Sequence, residues 1–341
     1  MRFTAKFALR LPATAQARVI GLCVVVALAI AWPAAATPAQ VAAANAALVA
    51  AIAPRQGEPV WRGIVIHHTA AENDSLAGIS AGHAKRFRDP LGIQYHFLIG
   101  NGHSAPDGAI QIARWQHRAL SIHVVHPERA PTAITVSLQG NLHERSVSAA
   151  QMVATESLIR QLLKVYALSP DRISTNTNVD GLFTVCPGKF FPIDRLLYRL
   201  RHATTVTAAD WANPHAPVPL EGPWPTPDAL RAALRWDTPC KHPVAVGALQ
   251  ALKTVQDPKA EFNAQLLQIE GGLGCTPITR RLLAMRAASG WYTLELNGYR
   301  TARLKLPKPG VVQVADERGP MQRCGLAPTG VPQCALVRPG K

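Results

Sequence analysis

The sequence predicts an α/β domain built on a mixed central β-sheet flanked by helices, followed by a smaller C-terminal domain of unassigned fold. Three observations carry this. Short β-branched apolar runs alternate with helical stretches from about residue 61 to 201. Residues 147–167 carry the full signature of a capped amphipathic helix. Proline-rich sequence then separates this region from one of different texture.

Gln40–Ile52 reads as a short helix ended before Pro54. Trp61–Ile66 leads into a buried strand, and Leu76–Phe87 is helical until Asp89-Pro90 stops it. Ile93–Ile99 is predicted as a second strand, closed by Gly100-Asn101-Gly102. Ala109–Trp115 alternates in part, as a strand with one buried face does, and Thr132–Leu138 is a fourth strand. Ser148-Ala149-Ala150-Gln151 is a capping box with Val147 as its staple, and Met152, Ile159, Leu163 and Tyr166 continue at helical spacing. Pro192–Leu200 is one more helix. Beyond the linker, Pro227–Leu234 and Val244–Val255 read as helical and Gly290–Leu306 as strand-like. The expected boundaries are an export signal at 1–36, a helix and linker at 37–60, the α/β domain at 61–204, a linker at 205–228 and the C-terminal domain at 229–341.

The 341 residues are 48% hydrophobic and 17% charged, which argues against wholesale disorder. A net charge of +15 favours polyanionic partners, either nucleic acid or the cell envelope. The N-terminus favours the envelope. Arg2, Lys6, Arg10 and Arg18 precede a charge-free apolar stretch, Val19–Trp32, and Ala34-Ala35-Ala36 offers a cleavage site. The apolar run is shorter than the ~20 residues of a membrane-spanning helix. The expectation is a secreted or periplasmic protein without stable membrane insertion after signal cleavage. No helix-turn-helix or aromatic-rich RNA motif supports nucleic acid as a partner. Of the six cysteines, Cys23 leaves with the signal. Cys240, Cys275, Cys324 and Cys334 are expected to form two disulfides, with three connectivities open. Cys186 stands apart.

His67 and His68 end a buried strand, where α/β folds place their sites. Cys186 precedes a sharp Pro187-Gly188 turn and suits a thiolate ligand. In these surroundings Ile64–Ala70 resembles the opening strand of the type-2 N-acetylmuramoyl-L-alanine amidases, the superfamily that includes the peptidoglycan recognition proteins. Ile93–Gly100, Asp107–Trp115, Val136–Asn141 and Thr184–Lys189 resemble its later blocks in the same order. The resemblance implies the amidase type-2 fold and peptidoglycan or muropeptides as the partner. It implies Zn2+ as cofactor and hydrolysis of the bond between N-acetylmuramic acid and L-alanine.

Carried over residue by residue, the resemblance makes His67 and Cys186 metal ligands. Where a second ligand histidine belongs, this chain has Asn176. An amide oxygen is a weaker, harder donor than imidazole. Four possibilities follow: Asn176 binds through its oxygen; His123, His126 or His68 substitutes; Asp180 substitutes; or the domain binds peptidoglycan without cutting it. Tyr95 is implied to assist attack and Thr184 to stabilise the oxyanion. His68, His123 and Asn141 are implied to line the substrate site. Where some relatives carry a catalytic glutamate in the fourth strand, this chain has Ser137.

Overall fold

The computed structural model describes residues 29–30, 46–122, 132–176, 186–219, 249–256, 263–273, 276–296, 302–315 and 321–337. In chain order the first region comprises β1 (Ala29–Ile30), α1 (46–52), β2 (Gly63–His68), α2 (Leu76–Phe87), β3 (Phe97–Ile99) and β4 (Ile110–Ile112). It continues with β5 (Ala133–Leu138), α3 (Ala149–Val165), β6 (Ile173–Thr175) and α4 (Ile193–His202). The sheet order is β1-β4-β3-β5-β2-β6. The pairs β2–β5, β2–β6 and β3–β5 are parallel, while β4 runs antiparallel to β3 and β1. The sheet is therefore mixed, as expected. Ala29–Ile30, its outermost strand, lies inside the segment read as an export signal.

Side chains alternate across the sheet, and this alternation sorts them into two layers. Ile64, Ile66, Phe97, Ile99, Ile134 and Val136 share a core with Met152, Leu158, Ile159 and Leu162 of α3. On the opposite face Leu98 packs with Ile79 of α2, Ile93, Tyr95 and Ala113. His67, one residue from Ile66, belongs by parity to this second face. Both helices begin as the sequence indicates. Ser75 Oγ accepts from Gly78 N–H, and Ser148 with Gln151 forms the reciprocal capping box. α3 also carries Glu156, fully buried yet accepting from Arg160, Arg199 Nε and Trp211 Nε1, so its charge is compensated.

The chain then forms β7 (Val218–Pro219), β8 (Leu249–Gln256), β9 (Asn263–Leu273), β10 (Thr276–Ala287) and β11 (Gly290–Glu295). It ends with β12 (Arg303–Lys308), β13 (Val311–Ala315), β14 (Met321–Leu326) and β15 (Pro332–Val337). These make a five-stranded sheet, β7-β11-β10-β9-β8, and a four-stranded sheet, β12-β13-β14-β15, all antiparallel. Leu266, Leu283, Met285 and Leu294 from the first share a core with Leu304, Val312 and Val314 from the second. Cys324 and Cys334, direct partners across β14 and β15, form a disulfide within it. Cys240 and Cys275 lie outside the described residues.

Several boundaries differ from the sequence reading. The second strand is only Phe97–Ile99, and Ala109–Trp115 divides into β4 and a 3-10 turn at Arg114–His117. Residues 249–256, overlapping the stretch read as helix, form a strand because β9 offers an antiparallel partner from Leu249↔Ile269 to Gln256↔Asn263, with a register shift between Ala251 and Lys253. Short strand β6 was not anticipated. Its three residues carry no pattern of their own and are held by pairing to Ile64–Ile66. Among the described residues no helix is long and apolar enough to cross a membrane.

Candidate metal and peptidoglycan site

The site forms at the C-terminal end of β2, a strand with parallel neighbours on both sides. His67 is fully buried there, and its Nδ1 lies 3.8 Å from Cys186 Sγ. A tetrahedral zinc with Zn–S about 2.3 Å and Zn–N about 2.05 Å holds its sulfur and nitrogen ligands roughly 3.6 Å apart. The pair thus has the spacing of two ligands on one ion. The backbone N–H of His68 donates to Cys186 Sγ at 3.3 Å, a contact that favours a thiolate.

Three local features bring Cys186 here across 119 residues. The Cys186–Pro187 peptide bond is cis, Gly188 has φ +103°, and Phe190 N–H donates to Leu142 O at 3.0 Å. A β-carbon on Gly188 would stand 2.3 Å from the carbonyl carbon of Leu142 and 2.6 Å from His143 N. Only glycine lets the loop lie this close to the 142–143 backbone.

Asn176 follows Thr175, which pairs with Ile66, and so comes next to His67 in the register of β6. It is 6% exposed, and its Oδ1 has no hydrogen-bond partner among the described residues. On the other flank Ser137 pairs directly with His67. Tyr95 packs its ring 5.3 Å from His67 and edge-on to His83 at 5.2 Å. Burial, and secondarily Cys186, push the Tyr95 phenol above its ordinary range, with the Ser137 hydroxyl opposing, so it is a neutral donor.

His68 is held neutral. Burial, then neighbouring His143, lower its pKa to about 4 against the opposing pull of Glu72. Its Nδ1 accepts from Leu142 N–H at 3.1 Å, which puts the ring proton on Nε2. Asn141 accepts from His143 N–H through Oδ1 and donates its own N–H to Glu72 Oε1 at 2.8 Å. Burial works to raise the Glu72 pKa, but Arg145 and the Asn141 N–H outweigh it and hold the carboxyl below its usual range. Glu72 also accepts from Asn101 Nδ2, so one carboxylate ties together the loops after β2, β3 and β5.

A cleft of about 270 Å3 opens beside Tyr95, lined by Thr69, Asp74, Gly78, Ile79, Gly82 and His83. Glu72, Asp74 and His83 were missed in the sequence. The available signal was the i, i+4 pairing of Gly78 with Gly82 and of Ile79 with His83, which puts small residues and an imidazole on one face of α2. By contrast His96, next to Tyr95, is a core histidine. Its Nδ1 lies 2.7 Å from Thr135 Oγ1 and its Nε2 2.9 Å from Ala119 O.

The structure thus brings His67, His68, Tyr95, Asn141 and Cys186 to one end of the sheet, with Asn176 at the adjoining strand end. Thr184 and His123, like His126 and Asp180, lie outside the described residues. Among the described residues no three of His, Cys, Asp and Glu converge as a metal site. An imidazole, a thiol and a buried amide oxygen form a donor set that fits zinc, with a weak third donor.

Residues 55–189 match the family model for N-acetylmuramoyl-L-alanine amidase. Among solved structures, the endolysin N-acetylmuramoyl-L-alanine amidase LysCS from Clostridium intestinale is 28% identical, over 44% of this chain and 90% of that one, with a TM-score of 0.37. Drosophila PGRP-LB is 19% identical over 45% of this chain and 85% of its own, with a TM-score of 0.32. Human PGRP-IBETAC, solved with glycosamyl muramyl pentapeptide, is 23% identical over 40% and 82%, with a TM-score of 0.30. No curated protein sequence matches.

Proposed function

We propose that the protein, whose residues 55–189 match the N-acetylmuramoyl-L-alanine amidase family model, engages bacterial peptidoglycan outside the cytoplasm and hydrolyses the amide bond between N-acetylmuramic acid and L-alanine. The observation that carries this reading is the 3.8 Å separation of His67 Nδ1 and Cys186 Sγ. In this reading His67, the Cys186 thiolate and Asn176 Oδ1 hold zinc. When bound, zinc supplies Lewis acidity at the scissile carbonyl and acidifies a water near neutral pH.

The chain's own groups do the rest. Tyr95, kept protonated, donates a hydrogen bond to the carbonyl oxygen as it gains charge, and the Thr184 hydroxyl is assigned the same duty. Neutral His68 presents its Nε2–H to substrate, and His123 and Asn141 are assigned further substrate contacts. Ser137, in the position beside His67, is no base at neutral pH and leaves proton transfer to other groups.

One observation favours a second reading, a non-catalytic peptidoglycan-binding protein on the same fold: the third donor is the amide Asn176, with no acidic or imidazole group converging in its place among the described residues. Two measurements separate the readings. Full-length protein purified without chelators is expected to carry about one zinc per chain and to release stem peptides from sacculi. Absence of both, with sacculus binding retained, leaves only the binding role. Asn176→His is expected to tighten zinc on the order of 10–100-fold, since imidazole replaces a weak oxygen donor. Loss of bound metal in that variant would show that Asn176 does not occupy a ligand position.

A further inference from the structure

We infer that the C-terminal β unit is a structural part of the Cys186 site: through Phe190 it holds the loop that presents the thiol. The consequence for metal rests on the reading of Cys186 as a ligand; the positioning itself does not.

Between Cys186 and α4, two consecutive phenylalanines part company. Phe191 is buried in the core under the central sheet, with Leu142, Ile193 and Leu196. Phe190 is fully buried in the other core, with Leu266, Leu283, Leu294 and Leu304 of the C-terminal strands. A side chain four residues from the thiol is thus covered by strands β9 to β15, far later in the chain. The backbone at the same point faces the first domain, where Phe190 N–H donates to Leu142 O and Gly188 lies against the 142–143 backbone. The loop is gripped from both sides.

Further ties keep the two sides together. His215 Nε2 lies 2.7 Å from Ser146 Oγ, and its ring stands edge-on to Phe190 at 6.1 Å. Asn213 Nδ2 donates to the carbonyl oxygen of Cys334 at 3.1 Å. Val218 and Pro219 pair with Thr293 and Tyr292, so the chain leaving α4 becomes an edge strand of the C-terminal sheet. Within this buried loop Phe190 is the side chain that enters the C-terminal core, so the loop's resistance to local opening depends in part on that anchor.

The test is peptide-resolved alkylation of Cys186 in full-length, chelator-treated protein, which needs no metal and no catalysis. Phe190→Ala is expected to raise the Cys186 alkylation rate at least about tenfold, and Phe190→Leu to return it to within about threefold of the parent. Val314→Ala, in the same C-terminal core on β13, is expected to raise it as well. If hydrogen exchange shows the C-terminal strands loosened in either alanine variant while Cys186 reacts at the parental rate, the unit is merely appended and the inference falls. Should Phe190→Ala fail to fold, Val314→Ala alone decides. Zinc content of the parent protein, measured separately, reports on the ligand role and is independent of this outcome.

Discussion

Cys186→Ala is expected to reduce bound zinc from about one per chain to background and to cut stem-peptide release by at least about 10³-fold, while sacculus binding changes little. The physical case is direct. Sγ is one of two donors whose spacing fits a single ion, and its removal leaves an imidazole and a weak amide oxygen. The fold should tolerate the change. The variant loses the His68 N–H···Sγ contact, worth about 1 kcal/mol, and exchanges one small buried side chain for another. Metal analysis, a release assay and a thermal melt on one preparation check all three statements. Stoichiometric zinc in the variant would remove Cys186 from the ligand set.

Gly188→Ala is expected to act on the same site through the backbone. Its φ of +103° costs an L-residue roughly 1–3 kcal/mol of strain. The added β-carbon would also meet the Leu142 carbonyl carbon at 2.3 Å, the Leu142 oxygen at 2.5 Å and His143 N at 2.6 Å. These are backbone atoms, so no rotamer change relieves the contact and the 186–190 loop must move. A loss of at least about 3 kcal/mol in unfolding free energy, with zinc lost in parallel, is the expected result. Gly57→Ala is the internal control. Gly57 also has positive φ, +78°, but a β-carbon there meets nothing within 4 Å, so it carries the strain alone. Equal melting temperatures for the two variants would mean that the loop has room which the geometry denies.

Much of the first domain was legible because its signals are local. The Ser148–Gln151 capping box and the stop at Asp89-Pro90 act within a few residues, and the observed helices begin and end where those signals indicate. The continuous β-branched apolar run into His67 is by itself the signature of a buried strand. β6 escaped because its backbone is held by a partner distant in sequence, Ile64–Ile66, whereas β8 is drawn into a strand by its pairing with the next strand, Asn263–Ile269. Glu72 escaped for the same reason as β6. A carboxylate in a polar loop reads as solvated until Arg145 and Asn141 are brought against it.

By itself, then, the sequence determined which chemistry is available: an imidazole at a strand end and a thiol before a Pro-Gly turn, which are residue identities and local patterns, and, as the resemblance to the type-2 amidases implies, an asparagine where a second imidazole would belong. No packing is needed to read them. Only the tertiary structure decided that His67 and Cys186 stand 3.8 Å apart, that Ser137 pairs with His67, and that Asn176 keeps a buried oxygen without a partner among the described residues. It also decided that Phe190 and Phe191, adjacent and chemically identical, serve different cores. Nothing local distinguishes two neighbouring phenylalanines. Which core each enters depends on the surfaces that the rest of the chain brings to either side.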